Sequence, residues 1–193
     1  TGVDLSTGSG LGAVLQGASA VVLCAMNAVR AAAVELGGTA RVLAALDEAD
    51  EPPPHVVYVS IVGCDAGDFA YYDVKSRAEA MLQGWGGPAT VMRATQFHSL
   101  AALMAGFRIG RLGVRVGDMR VQPVDVGFVA EQLAAIATGP VPQGFARATD
   151  VAGPDRFDIQ ELADLIATHD GLRSPTLLRL PPVGGSLRTF SDG

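Results

Sequence analysis

The sequence has few cysteines, histidines and lysines, and each shortage excludes some functions. The two cysteines, Cys24 and Cys64, have no CxxC spacing, and the three histidines are isolated from one another. Neither a disulfide framework nor a metal site is therefore expected. The arginines are scattered and the net charge is −6, so the chain lacks the basic face that a nucleic-acid partner requires.

Long apolar runs are also missing. The longest, Ala20 to Met26, falls far short of the roughly 20 residues that a membrane-spanning helix needs, so no membrane partner is expected. Residues 1–5 lack both the basic start and the apolar core of a secretory signal, so a cytoplasmic location is the default expectation. With 49% hydrophobic and 18% charged residues, the chain is expected to form one ordered domain over residues 1–193.

Short β-branched runs alternate with helical patterns, which is typical of an α/β fold with a mainly parallel sheet. Strands are predicted at 18–24, 55–60, 88–93, 119–124 and 176–180, and helices at 11–16, 40–46, 70–83 and 96–106. Two more helices are predicted, one capped by Asp125 and the other, 159–168, capped by Asp158. The stretch from Arg108 to Arg115 is interpreted as a solvated loop, with a mobile lid as the alternative.

The most informative residue is Lys75, the single lysine beside thirteen arginines. It follows Tyr71 by four positions, so the two side chains share one face of the predicted helix. Ser60 ends the preceding strand, and all three can meet at the carboxyl edge of the sheet, where ligands of doubly wound folds bind. A Tyr-x-x-x-Lys spacing alone is equally compatible with packing or a surface role.

These residue types suit proton transfer coupled to hydride transfer at a carbonyl. A tyrosine pKa of about 10 would have to fall by roughly three units, or ~4 kcal/mol, for Tyr71 to act as a base near neutral pH. Lys75 would lower that pKa and bind the cofactor ribose, while Ser60 would hold the substrate oxygen. Tyr72 points about 100° away on the helix and is interpreted as a packing residue.

Three segments in combination resemble the NmrA-like branch of the atypical short-chain dehydrogenases/reductases: residues 57–63, Tyr71 to Lys75 with Glu79, and Arg93 to His98. The resemblance implies a Rossmann-type doubly wound fold that binds NADP or NAD, with NADP slightly preferred, and reduces quinones or other carbonyl-like small molecules. Residues 1–118 would be the dinucleotide-binding core and residues 119–193 a small substrate-side subdomain. It also implies cofactor contacts from Asp4 and Leu5 to adenine, from Cys24, Ala25 and Met26 along the ribose and nicotinamide, and from Ala94, Thr95, Gln96 and Phe97 beside the nicotinamide, with His98 nearer the substrate.

The sequence departs from this family where a glycine-rich phosphate loop belongs. No such loop precedes Asp4, and the GxGxxA spacing of residues 8–13 has no strand leading into it. It is therefore interpreted as a turn after the third strand of the fold. We expect that the first two strands with their helices, and a short carboxyl-terminal piece, are missing from this sequence.

Three functions remain open at this stage. The leading one is an NAD(P)-dependent oxidoreductase that uses Ser60, Tyr71 and Lys75. The second is a redox sensor that binds the dinucleotide and reports its state to a regulatory protein partner without catalysis. The third, a Rossmann remnant without cofactor, applies if 193 residues are the mature chain, and such a protein would aggregate or associate with a partner. A homo-oligomer is compatible with any of them.

Overall fold

The computed structural model describes residues 2–27, 30–49, 52–66, 69–106, 108–109, 112–116 and 120–180. Its α-helices are α1 (Leu11–Leu15), α2 (Gly37–Asp47), α3 (Ala70–Trp85), α4 (His98–Gly106), α5 (Val126–Thr138) and α6 (Ile159–His169), and a π-helical turn (Ala32–Leu36) leads into α2. Its strands are β1 (Ala20–Leu23), β2 (His55–Ile61), β3 (Ala89–Ala94), β4 (Arg108–Ile109), β5 (Leu112–Val116), β6 (Arg120–Val121), β7 (Phe145–Arg147), β8 (Phe157–Asp158) and β9 (Thr176–Leu180).

The chain divides into two compact units. The first comprises Thr1–Asp65, Tyr71–Arg93 and Ala130–Asp150, and the second comprises Ala66–Ala70, Ala94–Val129 and Val151–Gly193. Within the described residues, no helix combines the length and the apolar character that a membrane span requires.

The first unit is built on a sheet of four strands in the order β1-β2-β3-β7. β1 runs parallel to β2, with Ala20 opposite His55 and Leu23 opposite Tyr58, and β3 runs parallel to β7. Because parallel strands end at the same edge, the residues that follow β1 and those that close β2 are neighbours in space. The predicted strands at 18–24, 55–60 and 88–93 are confirmed, and each of their ends lies within two residues of the prediction.

The core of this unit follows from its sequence pattern. β2 is an almost continuous apolar run, and Val56 and Val57 are both fully buried, as expected for a parallel strand covered on two faces. Helix α2 contributes the stripe Val42, Leu43 and Leu46, all buried, at helical spacing. These residues lie in one apolar cluster with Val56.

The second unit contains a three-stranded sheet, β4-β5-β9, and a two-stranded sheet, β6-β8. The predicted loop at residues 108–115 is wrong, because β4 and β5 lie there and pair as antiparallel neighbours. β5 also pairs in parallel with β9 over its whole length. Glycine and arginine alternate with the apolar residues of this segment. Because glycine and arginine are not typical strand residues, the local sequence does not predict β5, and the strand is identified by its pairing with β9.

The two predicted caps in the second half of the chain are confirmed. Asp158 accepts hydrogen bonds from the N–H groups of Gln160 and Glu161, both at 2.8 Å, and the Glu161 carboxylate accepts one from Asp158 N–H at 2.9 Å. This reciprocal pair is a capping box at the start of α6. The Asp125 carboxylate likewise accepts from Phe128 N–H at 2.9 Å.

Two other boundaries differ from the predictions. The predicted strand at 119–124 is reduced to β6 and a single bridge between Phe97 and Val124. That bridge keeps Phe97 extended, so α4 begins at His98 rather than at Gln96. The expectation of a missing carboxyl-terminal piece concerns residues 190–193, which lie outside the described residues.

Candidate functional site

Lys75 lies in the interior of the first unit, in contact with a carboxylate. Its Nζ is 2.6 Å from Oε2 of Glu35, and the two side chains are 5% and 0% exposed. Nζ also donates a hydrogen bond to the carbonyl oxygen of Val59 in β2, at 3.2 Å. The chain's single lysine is thus a buried ion-pair partner that joins α3 to β2 and to the π-helical turn.

Two tyrosine rings flank this ion pair. Lys75 Nζ lies 4.8 Å from the ring centroid of Tyr58 and 5.7 Å from that of Tyr71, and cations at such distances are attracted to the ring face. The Tyr58 hydroxyl donates to Glu35 Oε2 at 3.3 Å. The predicted proximity of Tyr71 and Lys75 on one face of α3 is therefore observed.

The Tyr71 hydroxyl is buried and has no hydrogen-bond partner in the structure, and the same is true of the second Glu35 oxygen, Oε1. Such atoms are rare in proteins, because each forfeits the hydrogen bond that it would make with water. Burial and, after it, the Glu35 carboxylate raise the pKa of Tyr71 above its ordinary value of 10.0. The expectation that Lys75 lowers this pKa is not met, because burial and then the Glu35 carboxylate raise it.

Ser60 is buried near the carboxyl end of β2, and its hydroxyl lies 3.6 Å from the Cys64 thiol. The thiol donates in turn to Glu79 Oε1 at 3.4 Å. Ser76 in α3 donates to the Cys64 carbonyl at 2.7 Å, which fixes the turn after β2. Ser60 therefore lies in the same unit as Tyr71 and Lys75, but its hydroxyl is engaged by Cys64 and Glu79.

Of the remaining sites predicted in the first unit, three follow β1 directly. Cys24, Ala25 and Met26 are all exposed, Met26 to 61%, at the sheet edge where β2 also ends. Leu5 is half-buried against the core, and its carbonyl accepts a hydrogen bond from Arg41 at 3.1 Å.

Asp4 is exposed and lies in a turn closed by its bridge to Ser9. Hydrogen bonds from the side chain and the backbone of Ser6 lower its pKa. The turn continues through Gly8 and Gly10, whose φ angles of 83° and 79° favour glycine. Residues 8–10 of the GxGxxA spacing thus lie in this turn and residues 11–13 begin α1, with no strand before them in the described residues.

The predicted residues Ala94 to His98 belong to the second unit and are held by its backbone. Thr95 N–H donates to Val151 at 2.9 Å, and the Thr95 hydroxyl donates to the Gln122 carbonyl at 2.6 Å. Gln96 accepts from Gln122 N–H at 3.4 Å, and Phe97 bridges to Val124. His98 is exposed at the start of α4.

Sequence reasoning missed Glu35 and Tyr58. Glu35 is a lone acid within an apolar run, Ala31 to Leu36, and a single acid of this kind is usually explained by a solvated helix face. It lies in a π-helical turn, an irregularity that is frequent at functional sites. The sequence offers one indirect indication of Glu35: a lysine that is buried needs an acidic partner of opposite charge.

No family model matches the chain, and no curated protein matches it. Solved structures do. A nucleoside-diphosphate-sugar epimerase from Staphylococcus aureus is 14% identical, with a TM-score of 0.71 over 94% of this chain and 63% of that one. A dTDP-glucose 4,6-dehydratase from Bacillus anthracis, in complex with NAD, is 14% identical, with a TM-score of 0.73 over 95% of this chain and 67% of that one.

An NADPH-dependent quinone oxidoreductase from Escherichia coli, complexed with NADPH, is 18% identical, with a TM-score of 0.72 over 93% of this chain and 61% of that one. This chain therefore spans about two thirds or slightly less of the length of each of the three proteins. At these identities the comparisons concern the fold, and they agree with the sheet described above. The chain has the Rossmann-type α/β fold of NAD(P)-binding epimerases, dehydratases and quinone oxidoreductases.

Proposed function

We propose that this protein is an NAD(P)H-dependent oxidoreductase of the NmrA-like, atypical short-chain dehydrogenase/reductase type that reduces a carbonyl or quinone-like small molecule. The observation that carries the proposal is the buried Tyr71 hydroxyl, which has no hydrogen-bond partner in the structure and belongs to a ring whose centroid lies 5.7 Å from the Lys75 Nζ. An unpaired buried donor is costly unless a ligand uses it. A substrate carbonyl oxygen is the acceptor that a tyrosine hydroxyl would serve.

The residues of the first unit fit a nicotinamide cofactor. Lys75 donates to Glu35 and to the Val59 carbonyl, which leaves the third of its three N–H donors for a ribose hydroxyl. Cys24, Ala25 and Met26 lie exposed at the carboxyl edge of the sheet, where a dinucleotide binds in folds of this class. Asp4 and Leu5 would contact the adenine. NADPH is slightly preferred over NADH.

When bound, a dihydronicotinamide would supply a hydride with two electrons to the carbonyl carbon and would leave as the oxidised cofactor. The side chains of the protein would supply the proton that the reduced carbonyl oxygen needs. Tyr71 would donate its hydroxyl proton to the carbonyl oxygen, which completes the alcohol, and the tyrosinate would regain a proton from solvent. Lys75 would hold the cofactor ribose, and Ser60 would hold the substrate oxygen if its bond to Cys64 opens.

Steady-state turnover with NADPH and a panel of quinones and aldehydes tests this proposal. Replacing Tyr71 by Phe should lower kcat by about 10²- to 10⁴-fold, the usual contribution of a positioned general acid. The dissociation constant for NADPH, from a fluorescence titration, should stay within about threefold, because a loss confined to the transition state leaves binding intact. Tyr72→Phe is the matched control, since Tyr72 is a core residue of the same helix. Equal turnover in both variants would refute the role of Tyr71.

A second function, a dinucleotide-binding redox sensor with a protein partner, is favoured by one observation. Lys75 is already paired with Glu35 and Val59, an arrangement that a binding site tolerates and that catalysis does not require. A sensor should bind NADPH without consuming it, and a partner should be captured only in one cofactor state. Sustained NADPH consumption with any member of the panel would exclude a pure sensor.

A further inference from the structure

Glu35 is the residue at the site that neither the sequence patterns nor the proposed reaction accounts for. Its side chain is fully buried, and one oxygen, Oε2, receives both the Lys75 ammonium at 2.6 Å and the Tyr58 hydroxyl at 3.3 Å. A buried carboxylate is strongly disfavoured without such partners. The pairing therefore fixes where the Lys75 charge lies and what it can act upon.

The titratable and charged groups around Tyr71 come from three elements of the first unit. Glu35 comes from the π-helical turn, Tyr58 from β2, and Lys75 from the same helix as Tyr71. Glu79, one turn beyond Lys75 on α3, acts electrostatically on Tyr58. Among the described residues, Lys75 is the cation whose Nζ contacts the Tyr71 ring, and its partner carboxylate cancels its charge.

This neutral pair has a consequence for proton transfer. An unpaired ammonium beside a tyrosine would favour tyrosinate, the form that acts as a base in alcohol oxidation. An ammonium paired with a carboxylate at 2.6 Å presents almost no net charge to the hydroxyl. Burial then favours the neutral phenol, which is the form that donates a proton in carbonyl reduction.

We propose that Glu35 is a positioning residue that holds Lys75 in an ion pair and thereby cancels the positive charge that would otherwise favour the tyrosinate form of Tyr71. The direction of the Tyr71 pKa, raised first by burial and then by Glu35, agrees with this geometry. The inference rests on the proposed function for its catalytic meaning. The effect of Glu35 on Tyr71 does not depend on cofactor or substrate and can be measured in the protein alone.

The test is therefore a tyrosine titration of the cofactor-free protein. The chain has three tyrosines, so NMR of protein labelled with carbon-13 at the tyrosine Cζ gives few resonances, which single Tyr→Phe variants assign. In wild type the Tyr71 resonance should stay at the phenol position up to about pH 12, because burial and Glu35 raise its pKa. In Glu35→Gln, which removes the charge and keeps the shape, the resonance should move toward the tyrosinate position within that range. A Glu35→Gln resonance that stays at the phenol position would overturn the proposal.

A second measurement on the unmodified protein covers the case in which these variants fail to fold. Because Lys75 is the only lysine, nitrogen-15 labelling of lysine gives one side-chain ammonium resonance. A buried ammonium held by Glu35 and Val59 should exchange its protons with water at least about tenfold more slowly than free lysine. Exchange as fast as that of free lysine would refute the ion pair. Neither readout depends on turnover, so a failure of the proposed oxidoreductase activity is distinguishable from a failure of this inference.

Discussion

Arg93 holds both carboxylate oxygens of Glu79, with Nε 2.9 Å from Oε1 and a terminal nitrogen 2.8 Å from Oε2. The bond joins β3 to α3, the helix that carries Tyr71 and Lys75. Arg93 also donates two bonds of 3.0 Å to Asp65 in the turn after β2, and Arg147 in β7 reaches Glu79 as well. Bidentate arginine–carboxylate pairs combine strength with fixed geometry, so this network sets the position of the candidate catalytic helix.

Glu79→Gln should destabilise the protein by about 3 kcal/mol, because it leaves the buried Arg93 guanidinium facing an amide. Burial alone would raise the pKa of Glu79, but hydrogen bonds from Arg93, and then Ser60, lower it below its ordinary value of 4.5. The unfolded state therefore binds the proton more readily, and this contribution to stability is present above pH 4.5 and is lost as the pH falls below it.

Urea denaturation at neutral pH and near pH 4 measures both effects of this substitution. The matched control is Asp73→Asn, because Asp73 is the exposed acid of α3: its side chain is 63% exposed and lies 3.5 Å from Arg77. An exposed pair of this kind contributes at most about 0.5 kcal/mol. The prediction is contradicted if the two variants lose equal stability. It is also contradicted if Glu79→Gln loses as much stability as the wild type between neutral pH and pH 4, because the Arg93–Glu79 pair would then not stabilise the fold.

Regular periodicity explains which elements were predictable from the sequence. α2 carries an apolar stripe at helical spacing and β2 an unbroken β-branched run, so local pattern and tertiary environment agree. The strand β5 was not predicted, because its partner β9 lies some sixty residues away and because glycine and arginine obscure the alternation of apolar and polar residues. A strand stabilised mainly by distant backbone pairing leaves little trace in its own residues.

The candidate site was predictable only in part, for a different reason. Tyr71 and Lys75 share a helix, so their proximity follows from a spacing of four. Glu35 reaches Lys75 from a separate element, and nothing in residues 31–36 indicates that an irregular π-helical turn directs it inward. Burial and, after it, Glu35 raise the pKa of Tyr71, whereas the Tyr–Lys spacing alone predicted the opposite direction.

His55 should make the stability depend on pH in a separate window. It is 1% exposed at the start of β2; its Nε2 lies 2.8 Å from the Thr90 hydroxyl, and its Nδ1 has no partner in the structure. Burial lowers its pKa below the ordinary 6.5. The unfolded state thus takes up a proton first, and stability present above pH 6.5 falls as the pH drops, by at most about 1.4 kcal/mol per pH unit.

Urea midpoints between pH 7.5 and pH 5 test this dependence, above the range where most carboxylates titrate. His55→Gln keeps a group that can bond to Thr90 but cannot gain charge, so its stability should be flatter across this window. His169→Gln is the control, because His169 is 89% exposed beside Asp170. The prediction fails if the wild-type slope survives in His55→Gln or disappears in His169→Gln.

Gly153 in the second unit should tolerate no side chain. A Cβ at this position would lie 1.8 Å from the Pro123 carbonyl oxygen, and the Gly153 carbonyl itself accepts a 2.6 Å hydrogen bond from Gln122. The clashing atom is backbone and cannot rotate away, so Gly153→Ala must displace the segment around Pro123. The expected cost is about 3 kcal/mol, at the upper end of overpacking substitutions.

Gly84→Ala should change the free energy of unfolding in the opposite direction, and the same experiment measures both variants. Gly84 is exposed in α3, and a Cβ there meets nothing within 4 Å, so the alanine should stabilise the protein by about 0.5–1 kcal/mol through its higher helix propensity. Equilibrium urea denaturation of both variants and the wild type resolves differences of this size. Because the two substitutions add the same methyl group, opposite signs would assign the loss at Gly153 to its contact with Pro123, and a neutral Gly153→Ala would refute the close approach.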